Sequence, residues 1–240
     1  MFPFFSQRIE NILMKKVIRG IERTLIKTPK VLERAKKYFN CDSLEGLELE
    51  NQGGQGSAIS HWEQRILLGD YMGTVIYQEE MGISEFTLAF LEDSGWYKPK
   101  YYTGGLFKFG KNKGCDFINN DYLDSNHKTK FKNEFFDDTN KEYWSYSTGR
   151  QSRTYSILYT HKNIENDLYK RFWNNNTGGT IYTVDYCPIN GQRYDESGYK
   201  YFYGSCKIGS PNYGIYNKYI NIFKIINNNN NLMIWYILTI

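Results

Sequence analysis

The sequence predicts an α+β protein: two capped helices, followed by an irregular region with short β-strands. Three observations carry this. Residues 28–40 and 84–94 each combine an N-cap residue, an apolar face at helical spacing and a stop signal. Beyond about residue 100 the composition turns to Gly, Asn, Asp, Tyr and Lys, with short aromatic runs at 155–159 and 181–186, the texture of short strands and long loops. An aromatic content of 18% over 240 residues excludes disorder for most of the chain.

Taken in order, residues 7–27 mix apolar and basic side chains, and the pattern does not decide helix from strand. The first helix is clear. Thr28 is a good N-cap, and Pro29 sits at the first helical position, where its missing N–H costs nothing. Val31, Leu32, Ala35 and Phe39 then share one face, Lys36 and Lys37 suit the dipole in the last turn, and the helix should stop near Asn40. Residues 41–60 read as loop-rich. Leu44, Leu47 and Leu49 interleave irregularly with Glu45, Glu48 and Glu50, and then Gln52-Gly53-Gly54-Gln55-Gly56-Ser57 calls for backbone at positive φ or in close approach. His61-Trp62-Glu63 follows, and a tight turn spans Gly69 to Gly73 with Met72 inside it. Ser84 caps the second helix, Phe86, Ala89, Phe90 and Asp93 lie on adjoining turns, Gly95 stops it, and Trp96-Tyr97 should pack back on it. Asn227–Asn231 is low-complexity, and the tail after it looks unanchored.

Charge falls in three blocks: net +7 over residues 1–40, −10 over 41–96 and +7 over 97–240. A nucleic-acid binder concentrates positive charge on one stripe, and the acidic middle argues against that class. No apolar run approaches the ~20 residues of a membrane span. No secretory signal is read at the N-terminus, where Met1-Phe2-Pro3-Phe4-Phe5 runs straight into Gln7, Arg8 and Glu10. Cys41, Cys115, Cys187 and Cys206 form no CxxC pair, which disfavours zinc-ribbon and thioredoxin chemistry. Asn175-Asn176-Thr177 would accept a glycan in a secreted chain. No HExxH, GxSxG or P-loop occurs. Of the three histidines, His127 and His161 sit in polar loops and read as ordinary surface or hydrogen-bonded residues. His61 differs, because it follows the glycine-rich loop and precedes a tight turn containing Met72.

The run T-P-K-V-L-E-R-A-K-K-Y-F-N-C-D-S-L-E-G-L-E-L-E-N-Q-G-G-Q-G-S-A-I-S-H-W-E-Q-R, residues 28–65, resembles the leishmanolysin family of zinc metalloproteases. The likeness continues through Met72 and F-T-L-A-F-L-E-D-S-G-W-Y at 86–97, then resumes at Gly114-Cys115-Asp116-Phe117 and Asp185-Tyr186-Cys187-Pro188. The resemblance implies a metzincin-type zinc endopeptidase, extracellular or at the cell surface and linked to adhesion. It implies protein and peptide substrates and allows membrane-surface association. It assigns His61 to the third histidine ligand, Met72 to the methionine turn beneath the metal, and Gly53, Gly54 and Gly56 to a structural loop. Three neutral imidazoles leave a fourth position for a water whose pKa Zn²⁺ lowers towards ~7. The same resemblance pairs Cys41 with Cys115 in a disulfide. Cys187 and Cys206 are then left to pair with each other or to stay reduced.

The family's HExxH helix, with two ligands and the general-base glutamate, is expected upstream of residue 1. This chain alone then offers no catalytic residue, one zinc ligand and no activity by itself. Phe136, Trp144 and Ser156 stand where the family is expected to have cysteines, Tyr122 stands near another, and Asn51 replaces the more usual Asp before the glycine loop. The expected organisation is residues 1–110 as the C-terminal part of a metzincin-like catalytic domain, 111–226 as a loop-rich region with short strands, and 227–240 as the tail. The rival readings are a non-catalytic adhesion or binding module derived from such a protease, and an inactive remnant.

Overall fold

Residues 13–26, where apolar and basic side chains mix without a clear period, form a hairpin. β1 (Leu13–Ile18) and β2 (Ile21–Ile26) pair antiparallel from Leu13↔Ile26 to Ile18↔Ile21. The two-residue connection Arg19-Gly20 has φ 53° and 81°, the left-handed geometry that suits a tight hairpin turn. The short β3 (Leu47–Glu48) adds to the other side of β2. The protein is described here from a computed structural model. It covers residues 12–74, 82–102, 107–136, 158–170, 172 and 176–189, with the backbone alone at 103–104, 142–144, 153–156, 190–191, 193–194 and 200–201. The N-terminal segment before residue 12, Asn175 of the sequon, Cys206 and the expected tail at 227–240 lie outside the described residues.

Both expected helices form: α1 (Pro29–Phe39) and α2 (Glu85–Asp93). A third, α3 (Gly114–Asn119), carries Cys115. Thr28 has the extended backbone of a cap, but its side chain makes no capping bond. The Asp93 carboxylate at the far end of α2 accepts the first-turn N–H groups of Lys30 (2.9 Å) and Val31 (3.1 Å) instead. An anion at a helix N-terminus is favoured by both the orphan donors and the dipole. Asn40 ends α1 at φ 58°, with the Cys41 N–H returning to the Lys36 carbonyl. Ser84 caps α2 through its own oxygen, which accepts from the Phe86 and Thr87 N–H groups. Gly95, φ 74°, stops the helix. Beyond that turn Trp96 and Tyr97, expected to pack back on α2, are 60% and 55% exposed.

The core is aromatic. Phe39 stacks on Phe86 (5.7 Å) and on Phe117 (6.0 Å), and Phe117 in turn contacts Phe131, Phe135 and Phe109. Tyr38, which the helical pattern of α1 did not single out, lies edge-on to Phe86 and donates to the carbonyls of Phe107 and Phe109. Tyr122 and Phe136, standing at or near positions where the resemblance leads one to expect cysteines, are buried in this cluster as apolar volume. The cluster runs from Ile26 to Ile189 and so crosses residue 110. Cys41 and Cys115 are disulfide-bonded, with Cα atoms 4.9 Å apart, tying α1 to α3.

Past residue 136 the described backbone holds short antiparallel strands: β4 (Glu142–Trp144), β5 (Arg153–Ser156) and β8 (Asn190–Gly191) in one sheet, β6 (Tyr159–Thr160) with β7 (Thr177–Gly178), and β9 (Arg193–Tyr194) with β10 (Lys200–Tyr201). Of the two aromatic runs expected as strands, 155–159 falls at the end of β5 and the start of β6. The run 181–186 is not a strand. Tyr182–Val184 is a 3₁₀ turn, and Asp185 and Tyr186 follow at φ 53° and 54°, which no strand accommodates.

Candidate functional site

The glycine-rich segment is a closed loop pinned at its base. Leu49 and Trp62 form an antiparallel bridge, the Glu50 N–H donates to the His61 carbonyl (2.9 Å), and the Ile59 N–H donates to the Glu50 carbonyl (2.8 Å). Gly53, Gly54 and Gly56 have φ of 78°, 64° and 104°. At Gly53 the requirement is twofold, because a Cβ there would also lie 2.7 Å from the Ser57 Cβ. Short bonds from Ser57 and Ala58 N–H to the Gly54 carbonyl fold the loop over, and they deliver Ser57 beneath the half-buried imidazole of His61.

The contacts around that imidazole gather on its Nδ1 side. Nδ1 lies 3.2 Å from the Ser57 carbonyl and 3.0 Å from the Ser60 hydroxyl. The hydroxyl donates to the carbonyls of Gly56 or Ser57, and a carbonyl only accepts. With the Ser60 proton on either carbonyl, the arrangement that satisfies Nδ1 and the Ser57 carbonyl together puts the ring proton on Nδ1 and the lone pair on Nε2, and Nε2 makes no hydrogen bond among the described residues. A backbone carbonyl on Nδ1–H is how metal-binding histidines are commonly oriented.

The turn at Met72 is seated next to this histidine. The Met72 carbonyl accepts the Trp62 N–H (3.0 Å), and Trp62 and Gly73 form a parallel bridge. Met72 is partly buried against the core. Buried Asp70 organises the turn. Its carboxylate accepts from the Met72 N–H (2.6 Å), the Ser84 N–H (3.0 Å) and the Thr87 hydroxyl, and that hydroxyl accepts from the Trp62 indole (2.8 Å). One acid thereby links the methionine turn, the start of α2 and the residue beside His61. Burial raises the Asp70 pKa, against the pull of those donors.

Beneath the loop lies a buried charged seam that the sequence did not announce. Arg23, fully buried, meets Glu63 (2.6 Å), Asp185 (2.6 Å) and the Asn51 side-chain oxygen. Arg19 forms a bidentate pair with Glu48 (2.6 and 2.9 Å) and reaches the Ile118 carbonyl. Burial opposes the Arg23 charge, but Asp185, Glu63 and Glu48 outweigh it and hold the guanidinium ionised. These two cations face four buried carboxyl groups, since Glu50 also belongs to the seam. The excess of acid shows in the titration. Burial, reinforced by Asp185, pushes Glu50 up to about 7, and burial with Asp185 and Glu50 raises Glu63 well above the usual range. Arg19 and Arg23 of the basic first block here meet Glu48, Glu50 and Glu63 of the acidic second block and Asp185 of the third. The only signals in the sequence were the glutamates interleaved with Leu47 and Leu49, and the Asp185-Tyr186-Cys187-Pro188 anchor.

The other predicted positions are dispersed. His127 is exposed at φ 56°. His161 has Nε2 2.8 Å from the Gly179 carbonyl and stands between Tyr159 and Tyr186. Cys187 is buried, its sulfur 3.8 Å from the Asp185 carbonyl. Among the described residues no three His, Cys, Asp or Glu side chains form a metal-binding group. These residues therefore do not by themselves fit a zinc ion. His61 fits the part of one oriented ligand.

Comparison with known proteins places these features in context. The family model described as Leishmanolysin matches residues 4–208. A "Leishmanolysin-like peptidase" of Caenorhabditis elegans is 48% identical over 102 residues, covering 42% of this chain and 15% of that protein. A protein of the same name from Drosophila pseudoobscura pseudoobscura is 30% identical over 224 residues, covering 78% of this chain and 31% of the relative. A "Leishmanolysin" of Leishmania major is 26% identical over 188 residues, covering 78% of this chain and 30% of that protein. The chain thus spans less than a third of the length of these relatives.

Proposed function

Because the chain belongs to the leishmanolysin peptidase family, we propose that it contributes one wall of a zinc endopeptidase centre, with His61 as a single imidazole ligand above the Met72 turn. The observation that carries this reading is the contact of His61 Nδ1 with the Ser57 carbonyl at 3.2 Å, which with the proton on Nδ1 leaves the Nε2 lone pair available. Bound between three such imidazoles, zinc supplies Lewis acidity and an activated water. This chain's own residues do the supporting work. The glycine loop aims the ring, Asp70 shapes the turn next to it, and the Trp62–Thr87–Asp70 chain ties both to α2.

The remaining two ligands and the general base come, in this proposal, from an HExxH helix upstream in a longer polypeptide. Cleavage of peptide bonds in extracellular or cell-surface proteins is the matching function. The Cys41–Cys115 bridge supports that compartment, since such bonds persist where conditions are oxidising.

Sequencing the transcript upstream of the Met1 codon tests the reading. An in-frame His-Glu-x-x-His supports it, and an immediate in-frame stop overturns it in favour of a non-catalytic binding module. The 240 residues alone should show no zinc-dependent casein cleavage, and cleavage abolished by His61→Ala in this chain would refute the missing-ligand argument. In the extended polypeptide, His61→Ala should lower kcat/KM at least ~100-fold.

A further inference from the structure

The loop that carries His61 is held from within only by local bonds, among them the Gln52 N–H to Glu50 Oε1 at 2.8 Å and the Ser60 hydroxyl to the Gly56 carbonyl at 2.9 Å. Three of its residues are glycines at positive φ, and its internal bonds are short-range turns. Yet the imidazole must be held to within about half an ångström to serve as a ligand. The fixing points come from a distant part of the chain. The Gln52 amide donates to the Tyr182 carbonyl at 2.6 Å and to Asp185 Oδ1 at 3.1 Å, across 130 and 133 residues. Just before it, the Asn51 amide donates to the Tyr169 hydroxyl at 3.1 Å. The segment that receives Gln52 is itself anchored. Asp185 is held by Arg23 at 2.6 Å, the Val184 N–H returns to the Ile181 carbonyl, and the Cys187 N–H returns to the Val184 carbonyl.

We infer that Gln52 is a positioning residue, a latch through which the 182–185 segment sets the orientation and tautomer of His61. The chain of cause is explicit. Gln52 fixes the entry to the glycine turn, the turn presents the Ser57 carbonyl, and that carbonyl holds the Nδ1 proton. With the latch open, the Gly53–Gly56 backbone samples its many conformers and Ser57 leaves the ring. His61 then falls back to the mixed tautomers of a solvated imidazole. The inference bears on the proposed zinc site, and it rests on that reading only for its functional importance. The geometry itself needs no metal.

The test uses the full 240-residue chain, metal-free, with ¹⁵N-labelled histidine, well above the ordinary imidazole pKa of ~6.5. The wild-type His61 ring should report a protonated Nδ1 and an unprotonated Nε2. In Gln52→Ala it should shift towards the Nε2–H form, and exchange of the Ile59 amide should quicken about tenfold while the amides of Phe39 and Phe90 keep their protection. Gln52→Asn, whose amide is retracted by one methylene, should show a smaller shift of the same sign. An unchanged ring and unchanged Ile59 exchange in Gln52→Ala would overturn the latch. So would equal loss of protection at Phe39, Phe90 and Ile59, because Gln52 would then be a general stabiliser. Neither result bears on whether His61 binds zinc.

Discussion

The two halves of the buried interior are held together by different physics. Around α1, α2 and α3 the contacts are ring on ring: Phe39, Phe86, Phe117 and Phe135 stack in series, and a disulfide joins the helices that carry Phe39 and Phe117. Under the glycine loop the contacts are ionic, with Arg19 and Arg23 set among Glu48, Glu50, Glu63 and Asp185. Dispersion and area burial are indifferent to pH and forgiving of small shifts. A desolvated ion cluster is neither, because any member left without its partner bears the full desolvation penalty. The proposed ligand loop rests on the second kind of interior.

The sharpest way to break this comparison is at Arg23. Arg23→Met should destabilise the chain by roughly 3–5 kcal/mol in urea unfolding, because it strands Glu63 without its cation and leaves Asp185 only Arg19, at 3.7 Å. A loss below ~1 kcal/mol would mean that the seam behaves as ordinary packing. On the other side, Cys41→Ser with Cys115→Ser opens a 74-residue separation. The chain-entropy account puts that loss at about 4 kcal/mol, less any strain in the bridge, and it should be the same at pH 5 and at pH 8. A strong pH dependence of the loss would join the two halves that are here held separate.

Next in size comes the pH dependence of the wild-type chain. In the fold Glu50 keeps its proton up to about pH 7, whereas its ordinary pKa is 4.5. The folded state therefore binds more protons across that window. Stability is highest at its acid end and falls as the pH rises through about 7, by roughly 2–3 kcal/mol. Glu63, raised by the same burial, adds to the fall. Glu50→Gln, which keeps the shape and cannot ionise, should flatten part of this slope. An identical slope would clear Glu50 of the role. The smallest effect expected is at the start of α1. Asp93→Ala should cost about 1 kcal/mol because two helix N–H groups lose their acceptor, whereas Thr28→Ala should cost less than ~0.5 kcal/mol.

The apolar half was readable and the ionic half was not, for a physical reason. Helical spacing marks Val31, Leu32, Ala35, Phe39, Phe86, Ala89 and Phe90 because apolar side chains face one way, and all are buried but Leu32, which is partly buried. In β2 the inward register is occupied at Arg23, so Ile21–Ile26 shows no apolar alternation and its strand is invisible to a pattern that counts hydrophobes. Glu48 likewise looks like a surface residue until Arg19 and Arg23, 29 and 25 residues away, are brought to it. Tyr182–Val184 reads as strand because its residues favour strands. What defeats that is local: the left-handed pair Asp185-Tyr186, whose conformation serves the contact with Arg23. The setting of His61, between a glycine loop and a turn holding Met72, set it apart, but the roles of both residues came only through the resemblance. The Ser57 carbonyl that orients the ring leaves no mark in composition.

The carboxylate of Asp93 lies 62 and 63 residues downstream of the helix N–H groups it serves. Its consequence concerns the ribosome. While the chain is being made, α1 emerges well before the carboxylate that accepts its first-turn donors, with only the Thr28 hydroxyl at hand. The first turn gains its folded-state acceptor once α2 has been synthesised and has docked. A nascent chain paused between residues 40 and 93 would expose Val31, Ala35 and Phe39 to whatever chaperone reaches them first.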